Sequence, residues 1–333
     1  MGILVFFHSP ARKLEASIGW QKRIVQFDPY GTVVFIPGII CLLLALQWGG
    51  SKYEWGNWRI ILLLVFFGVL ISLFIVVQCW KKDNATVPPR ILKQRSMACV
   101  SWFAIMLGGS FFVFVYYLPI WFQAIKGVSA TKSGIMNLPM ILGLVVMSIA
   151  SGGAITAIGY YTPAFYASSV LMSVGAGLLT TFETTTGHSK WIGYQIIYGF
   201  GVGFGMQQPL IAAQTVMHLD DVPIATSVII FAQTLGGALF ISVAQNVFSN
   251  RLVAGLKDVV PGLDPTLVLN VGATSLKDAI PAKFINGVQV AYNSALTQTW
   301  YVSVALACLT VIGTAGVEWK NIKGKKSEAV GGA

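Results

Sequence analysis

The sequence predicts an all-α polytopic membrane protein with about eight transmembrane helices. Three observations carry this. Hydrophobic residues make up 55% of the 333 and charged residues 10%, against about 25% charged in a soluble domain. Apolar runs of the roughly 20 residues that a bilayer-crossing helix needs recur along the chain. Lys and Arg gather in short segments between the runs, as they do in cytoplasmic loops beside membrane helices. The net charge of +10 therefore speaks for a membrane surface and against nucleic acid as a partner.

Residues 1–29 read as the last turns of a helix, Met1 to Phe7, followed by a basic segment with Arg12, Lys13, Lys22 and Arg23. No charged region or cleavage pattern marks a signal peptide there. The first span runs from about Tyr30 to Trp48, with Asp28-Pro29 as its start signal. A turn rich in Trp and Tyr, Ser51 to Trp58, suits the headgroup level. The second span, Arg59 to Trp80, is apolar all round and is expected to face lipid.

Residues 81–97 carry five basic residues and two prolines and read as a cytoplasmic linker. The third span covers about Ala98 to Phe122 and is rich in aromatics, the fourth about Gly134 to Ile158, and the fifth about Pro163 to Phe182. The sixth and seventh, Trp191 to Ala213 and Ala225 to Phe248, flank the polar turn HLDDVP. There Asp221 is placed to cap the seventh, with Pro223 in its first turn. Residues 249–297 form one long outer loop, turning helical from Ala282, and the eighth span covers about Gln298 to Val317. A basic tail, 319–333, closes the chain.

Orientation follows from counting Lys and Arg. With the N-terminus inside, the inner segments hold thirteen and the short outer ones five; four in the long loop are set aside. Both termini are therefore expected to be cytoplasmic, and the expected location is the plasma membrane.

The sixth and seventh spans contain no Asp, Glu, Lys or Arg, yet carry several amides. An unpaired amide in hydrocarbon costs several kcal/mol, so these side chains should face other helices or a wet cavity. Gln207, Gln208 and Gln233 are the candidates for contact with a transported molecule, weighed evenly against plain interhelical hydrogen bonding. Trp102, Tyr116 and Tyr117 of the third span join them as aromatic candidates, though helix packing is the commoner role.

The run Gly199-x-Gly201-x-Gly203-x-Gly205 lies inside an apolar span, without the preceding strand that a phosphate-binding loop needs. Its i, i+4 pairs read as notches for close helix contact. Gly236-Gly237 and Gly152-Gly153 read the same way. Cys41, Cys79, Cys99 and Cys308 lie in or beside apolar runs with no metal-ligand spacing, and read as small core residues. No catalytic constellation and no ionisable residue within a span is visible. Neither an enzyme nor a cofactor or metal is expected.

Several stretches carry a resemblance. They are FDPYGTVVFIPGIICLLLALQWGG with its WGNWRI turn, YYLPIWFQAIKGVSATKSGIMNLP, GFGVGFGMQQPLIAAQ, and DDVPIATSVIIFAQTLGGALFISVAQNVF. In their order and spacing the chain resembles the C-terminal part of fungal fourteen-spanner drug:proton antiporters of the major facilitator superfamily, the toxin-efflux branch. The resemblance implies two linker helices over 30–80 and a six-helix C-terminal half over 98–318, built as two inverted three-helix repeats. It implies proton-driven export of a small organic molecule such as a secondary metabolite, toxin or drug. GGAITAIGYYTP takes the place of the family's cytoplasmic gating motif, keeping Gly153, Gly159 and Pro163 without the charged members. The family's first six helices have no counterpart in the sequence, so a separate N-terminal half or partner chain is the expected complement. The competing expectation is a truncated membrane fragment that does not transport.

Overall fold

The computed structural model describes residues 28–50, 52–81, 85, 87–276 and 280–322; among them there are helices and turns, two isolated bridges and no strand. The helical remnant expected at the N-terminus, its basic segment and most of the basic tail lie outside the described residues.

Helix α1 (Pro29–Trp48) starts where Asp28-Pro29 signals it: Asp28 Oδ1 accepts from the Gly31 N–H at 3.0 Å, and proline occupies the first turn. Helix α2 (Trp58–Lys81) returns beside it. The hairpin is clamped at its base, where the fully buried Asp28 carboxylate meets Lys81 Nζ at 2.6 Å and Gln78 Nε2 at 2.8 Å. At its turn Arg59 donates to the Tyr53 hydroxyl at 2.6 Å. A short α3 (Pro89–Lys93) leads into α4 (Arg95–Lys126), which runs past both expected ends of the third span.

The fourth span is divided at Asn137 into α5 (Ala130–Met136) and α6 (Leu138–Ile158). Pro139 is the physical reason, since it cannot donate to the preceding turn. Helix α7 (Thr162–Leu179) follows. The sixth span is likewise two helices, α8 (His188–Met206) and α9 (Gln208–Val216), broken at Gln207 one residue before Pro209's turn. A 3-10 turn, Leu219–Asp221, opens α10 (Val222–Val259). After a short α11 (Pro265–Asn270) comes α12 (Ala282–Gly316).

Seven helical stretches among the described residues are long and apolar enough to cross a membrane. The expected sixth span is not among them, because the break at Gln207 and the glycines of α8 lower its apolar continuity. The connection expected over 249–297 is shorter: α10 extends to Val259 and α12 begins at Ala282.

Asp221 does not cap α10. Its carboxylate instead meets Arg90 Nη2 at 2.7 Å, tying α10 to α3. Its partner is 131 residues away in the chain, and a charge-assisted bond to a cation outweighs a cap.

Packing follows a crossed pattern. Helix α4 packs against α10 and α12, whereas α8 packs against α6 and α7, and α7 meets α12. The α1–α2 hairpin leans on α10, with Phe35 and Phe231 rings 5.3 Å apart. Glycines set the closest crossings. A Cβ on Gly199 or Gly203 would strike the α6 backbone at Met140 or Leu144, and one on Gly201 or Gly205 would strike α7 at Met172 or Ser168. Helix α8 is thus notched on two faces at once. Gly236 lies against the Ile105 carbonyl, Gly237 against Phe112, and Gly108 against the Gln233 carbonyl. Gly152 and Gly153 depart from the expected role: nothing lies within 4 Å of a Cβ built on either. Cys79 and Cys308 are exposed on the helix surface rather than in the core.

Candidate functional site

The helix break at Gln207 is the local feature around which the candidate residues separate. Pro209 sits in the first turn of α9 and has no N–H, so no main-chain bond continues the α8 ladder there. Gln207 takes φ −95° and ψ −16°, close to the values at Asn137 and Asp221, which likewise precede a helix with proline in its first turn. The consecutive amides part company at this point. Gln207 is exposed, whereas Gln208 is fully buried and donates from Nε2 to Ser151 Oγ of α6 at 2.9 Å. Gln233, half-buried on α10, points Nε2 at the Met206 sulfur at 3.1 Å. The structure therefore brings Gln233 to the rim of the break that carries Gln207.

The aromatic candidates do not join this group. Trp102 donates from Nε1 to the Leu309 carbonyl of α12 at 3.0 Å, and its ring is partly exposed along the α4–α12 seam. Tyr116 is about half exposed, while its neighbour Tyr117 is fully buried and donates to Gln245 Oε1 at 2.9 Å. A single cavity wall built from the three amides and three aromatics is thus not what the chain forms.

A buried polar knot, not singled out in the sequence, holds the centre of the bundle. The Ser110 hydroxyl lies 2.8 Å from the Tyr198 hydroxyl and 2.9 Å from that of Ser303, and Ser303 also donates to the Ser110 carbonyl at 2.7 Å. It links α4, α8 and α12. Ser169, Thr310 and Thr314 make a second knot between α7 and α12. Hydroxyls shared between helices are the usual adhesive inside a membrane bundle; the only signal for them in the sequence is isolated Ser and Thr within apolar runs.

The segment Gly159 to Pro163, expected to take the gating position, is pinned to the chain after α12. Gly159 ends α6 at φ +87°, which favours glycine, and its carbonyl accepts from the Ile322 N–H at 2.9 Å. The buried Tyr161 hydroxyl donates to the Glu318 carbonyl at 2.8 Å. Burial, helped by the Glu318 charge, pushes the Tyr161 hydroxyl up to about 12. Glu318 itself is held below the usual carboxylate range, first by its hydrogen bond to Lys320. No group of three or more metal-ligating side chains occurs among the described residues.

No family model matches the sequence. An MFS-type efflux pump of Arthroderma benhamiae is 62% identical over 98% of this chain and 61% of its own length. An efflux pump of Penicillium rubens is 51% identical over 96% of this chain and 59% of its own. An MFS acetylaranotin efflux transporter of Aspergillus terreus is 50% identical over 96% of this chain and 71% of its own. This chain belongs to the major facilitator superfamily (MFS). The MFS chain is an integral membrane protein, and the relatives it resembles are named as transporters rather than enzymes. It spans about 60% of the length of the first two. Among solved structures, a bacterial homologue of the human lysosomal transporter Spinster covers 87% of this MFS chain and 62% of its own, at 14% identity and TM-score 0.47. That likeness carries no further step.

Proposed function

We propose that this chain is the C-terminal portion of a membrane efflux transporter of the fourteen-spanner drug:proton branch, exporting a small, weakly polar organic molecule such as a secondary metabolite. The observation that carries the reading is the break at Gln207 with Gln233 beside it. Unwound backbone at membrane depth is tolerated where it is buried in protein or lines a wet cavity, and interrupted helices form midplane substrate sites in transporters. An exposed Gln207 amide fits the cavity side of such a break. Gln208, turned to Ser151, serves structure.

The crossed packing of α4 with α10 and α12, and of α8 with α6 and α7, supports two inverted three-helix repeats. In them the first helix of each is exchanged into the other. On this reading α1 and α2 are the linker pair, both termini are cytoplasmic, and the membrane is the plasma membrane. The opposing wall for alternating access comes from a second six-helix bundle, in the same polypeptide or a partner chain. That bundle also supplies the proton carrier, since the Asp, Glu, Lys and Arg residues of the described spans lie near their ends.

The test is efflux of a planar fluorescent dye from efflux-deficient yeast expressing a transport-competent form. Gln207→Ala and Gln233→Ala are expected to lower export or shift dye preference about tenfold at unchanged expression, roughly one hydrogen bond to substrate. If both variants export every dye normally, the assignment of these amides fails.

A further inference from the structure

An open crevice lies between the α1–α2 hairpin and the seam of α4 and α10. Its volume is about 660 Å³, within the roughly 300–1,000 Å³ of small-ligand sites. The walls are apolar: Phe35 and Phe74 from the hairpin, Ile105 from α4, and Val228, Phe231 and Leu235 from α10. Four polar side chains interrupt them, of which Gln78 is bonded to Asp28 and to the Val87 N–H, and Ser227 to the Pro223 carbonyl. Ser101, only 9% exposed, lines the crevice, and its buried Oγ has no hydrogen-bond partner among the described residues. An orphaned hydroxyl in an apolar wall is costly, so this one marks a place where a ligand acceptor belongs. Lys93, exposed at the end of α3, lines the same crevice and has no ion-pair partner among the described residues. Of its basic neighbours, Lys81 is engaged with Asp28 and Arg90 with Asp221, and the exposed Arg95 does not line the crevice. Two acidic groups at this end, Asp28 and Asp221, are engaged by the same pairs, while Asp220 is exposed beside Asp221.

The crevice also has the depth of one leaflet. From Ile224 to Leu235, α10 rises about 16 Å at 1.5 Å per residue, close to half of a roughly 30 Å hydrocarbon core. We propose that the crevice binds an anionic glycerophospholipid of the cytoplasmic leaflet, one acyl chain between hairpin and seam, the phosphate on Lys93 and an ester carbonyl accepting from Ser101. Basic pockets between membrane helices on the cytoplasmic side hold such headgroups. An uncharged occupant would leave Lys93 unanswered; a headgroup alone would leave the apolar walls empty. The choice of leaflet rests on the inward orientation proposed above, but binding in detergent does not, so the two fail separately.

Native mass spectrometry of the purified full-length chain with equal phosphatidylserine and phosphatidylcholine tests the site. Phosphatidylserine is expected to be retained at least fivefold more. Lys93→Gln should bring that ratio near one without changing phosphatidylcholine retention. Ile105→Trp, which fills the crevice, should remove the retained lipid; Val228→Trp serves if that variant does not fold. Equal retention of both lipids by the unaltered chain would overturn the site, as would a preference that survives Lys93→Gln. So would competition by glycerophosphoserine as effective as by the lipid, which would indicate a surface headgroup site.

Discussion

Helices α2 and α4 are both long, apolar and able to span a membrane, yet they occupy opposite environments. Two-thirds of the most apolar window of α4 is buried (67%), against 6% for α2, although α2 is the more hydrophobic. In water the order would be reversed. In a bilayer, lipid is as apolar as leucine, and helices associate through small notches and shared hydroxyls. Helix α4 has both, Gly108 and Ser110. Helix α2 has Gly68, with nothing near it, and Ser72, whose hydroxyl bonds the carbonyl of Gly68 one turn back.

The sharpest way to break that comparison is to fill a notch. A side chain on Gly236 meets the Ile105 carbonyl, part of the α4 backbone, which cannot rotate away. Gly236→Leu is expected to cost about 3 kcal/mol, the upper part of the overpacking range, in SDS unfolding of the detergent-solubilised protein. Gly68→Leu should change stability by less than about 0.5 kcal/mol. Equal effects at the two positions would mean that α2 is packed against something as closely as α10 is.

The hairpin has one strong internal tie. Asp28→Ala removes a buried carboxylate and leaves Gln78 and a partly buried Lys81 without it. Because Lys81 reaches water, the loss is expected near 2 kcal/mol, the range of a charge-assisted hydrogen bond. It should be local, increasing proteolysis at the base of the hairpin, near Asp28 and Lys81, while leaving the turn at Tyr53 and the α4 core protected.

These contrasts also show what was readable from residues. The apolar runs, the notched faces of α8 and the helical start at Ala282 depend on local composition, and local composition is written in the chain. The break at Gln207 is not legible in the sequence, because a proline inside an apolar run is compatible with a kinked, continuous span. Residue type alone makes Gln207 and Gln208 equivalent candidates, yet adjacent helical residues point about 100° apart, and the break adds to the divergence. Pairings such as Arg90 with Asp221, or Ser110 with Ser303, join residues over a hundred apart. No periodicity encodes them.

A smaller effect tests the central knot. Ser110→Ala leaves the Tyr198 hydroxyl with one buried partner fewer. The expected cost is about 1 kcal/mol, a typical net hydrogen bond, and Ser72→Ala on α2 should cost almost nothing. Tyr198→Phe in the Ser110→Ala background should add little, because the shared bond is already gone; a fully additive second loss would show that the two hydroxyls act independently.

The smallest expected effect lies at the pinned segment after α12. Glu318 titrates below its unfolded value of about 4.3, drawn down chiefly by Lys320, with contributions from Ser96 and Arg95. A carboxyl depressed in the folded state adds stability above the unfolded value, and loses it as pH falls through the lower folded value. The ties of residues 318–322 to α4 and to Gly159 should therefore hold at pH 6 and slacken below about pH 4. The Glu318 side chain is about a third exposed, so screening limits the change to a few-fold. Amide exchange of Ile322, corrected for its intrinsic pH dependence, should accelerate by that amount between pH 6 and 3, and Glu318→Gln should flatten the profile. An unchanged profile in the variant would place the pH sensitivity elsewhere. In that case the bond from Tyr161, whose phenol stays protonated throughout this range, to the Glu318 carbonyl would be what holds the segment down.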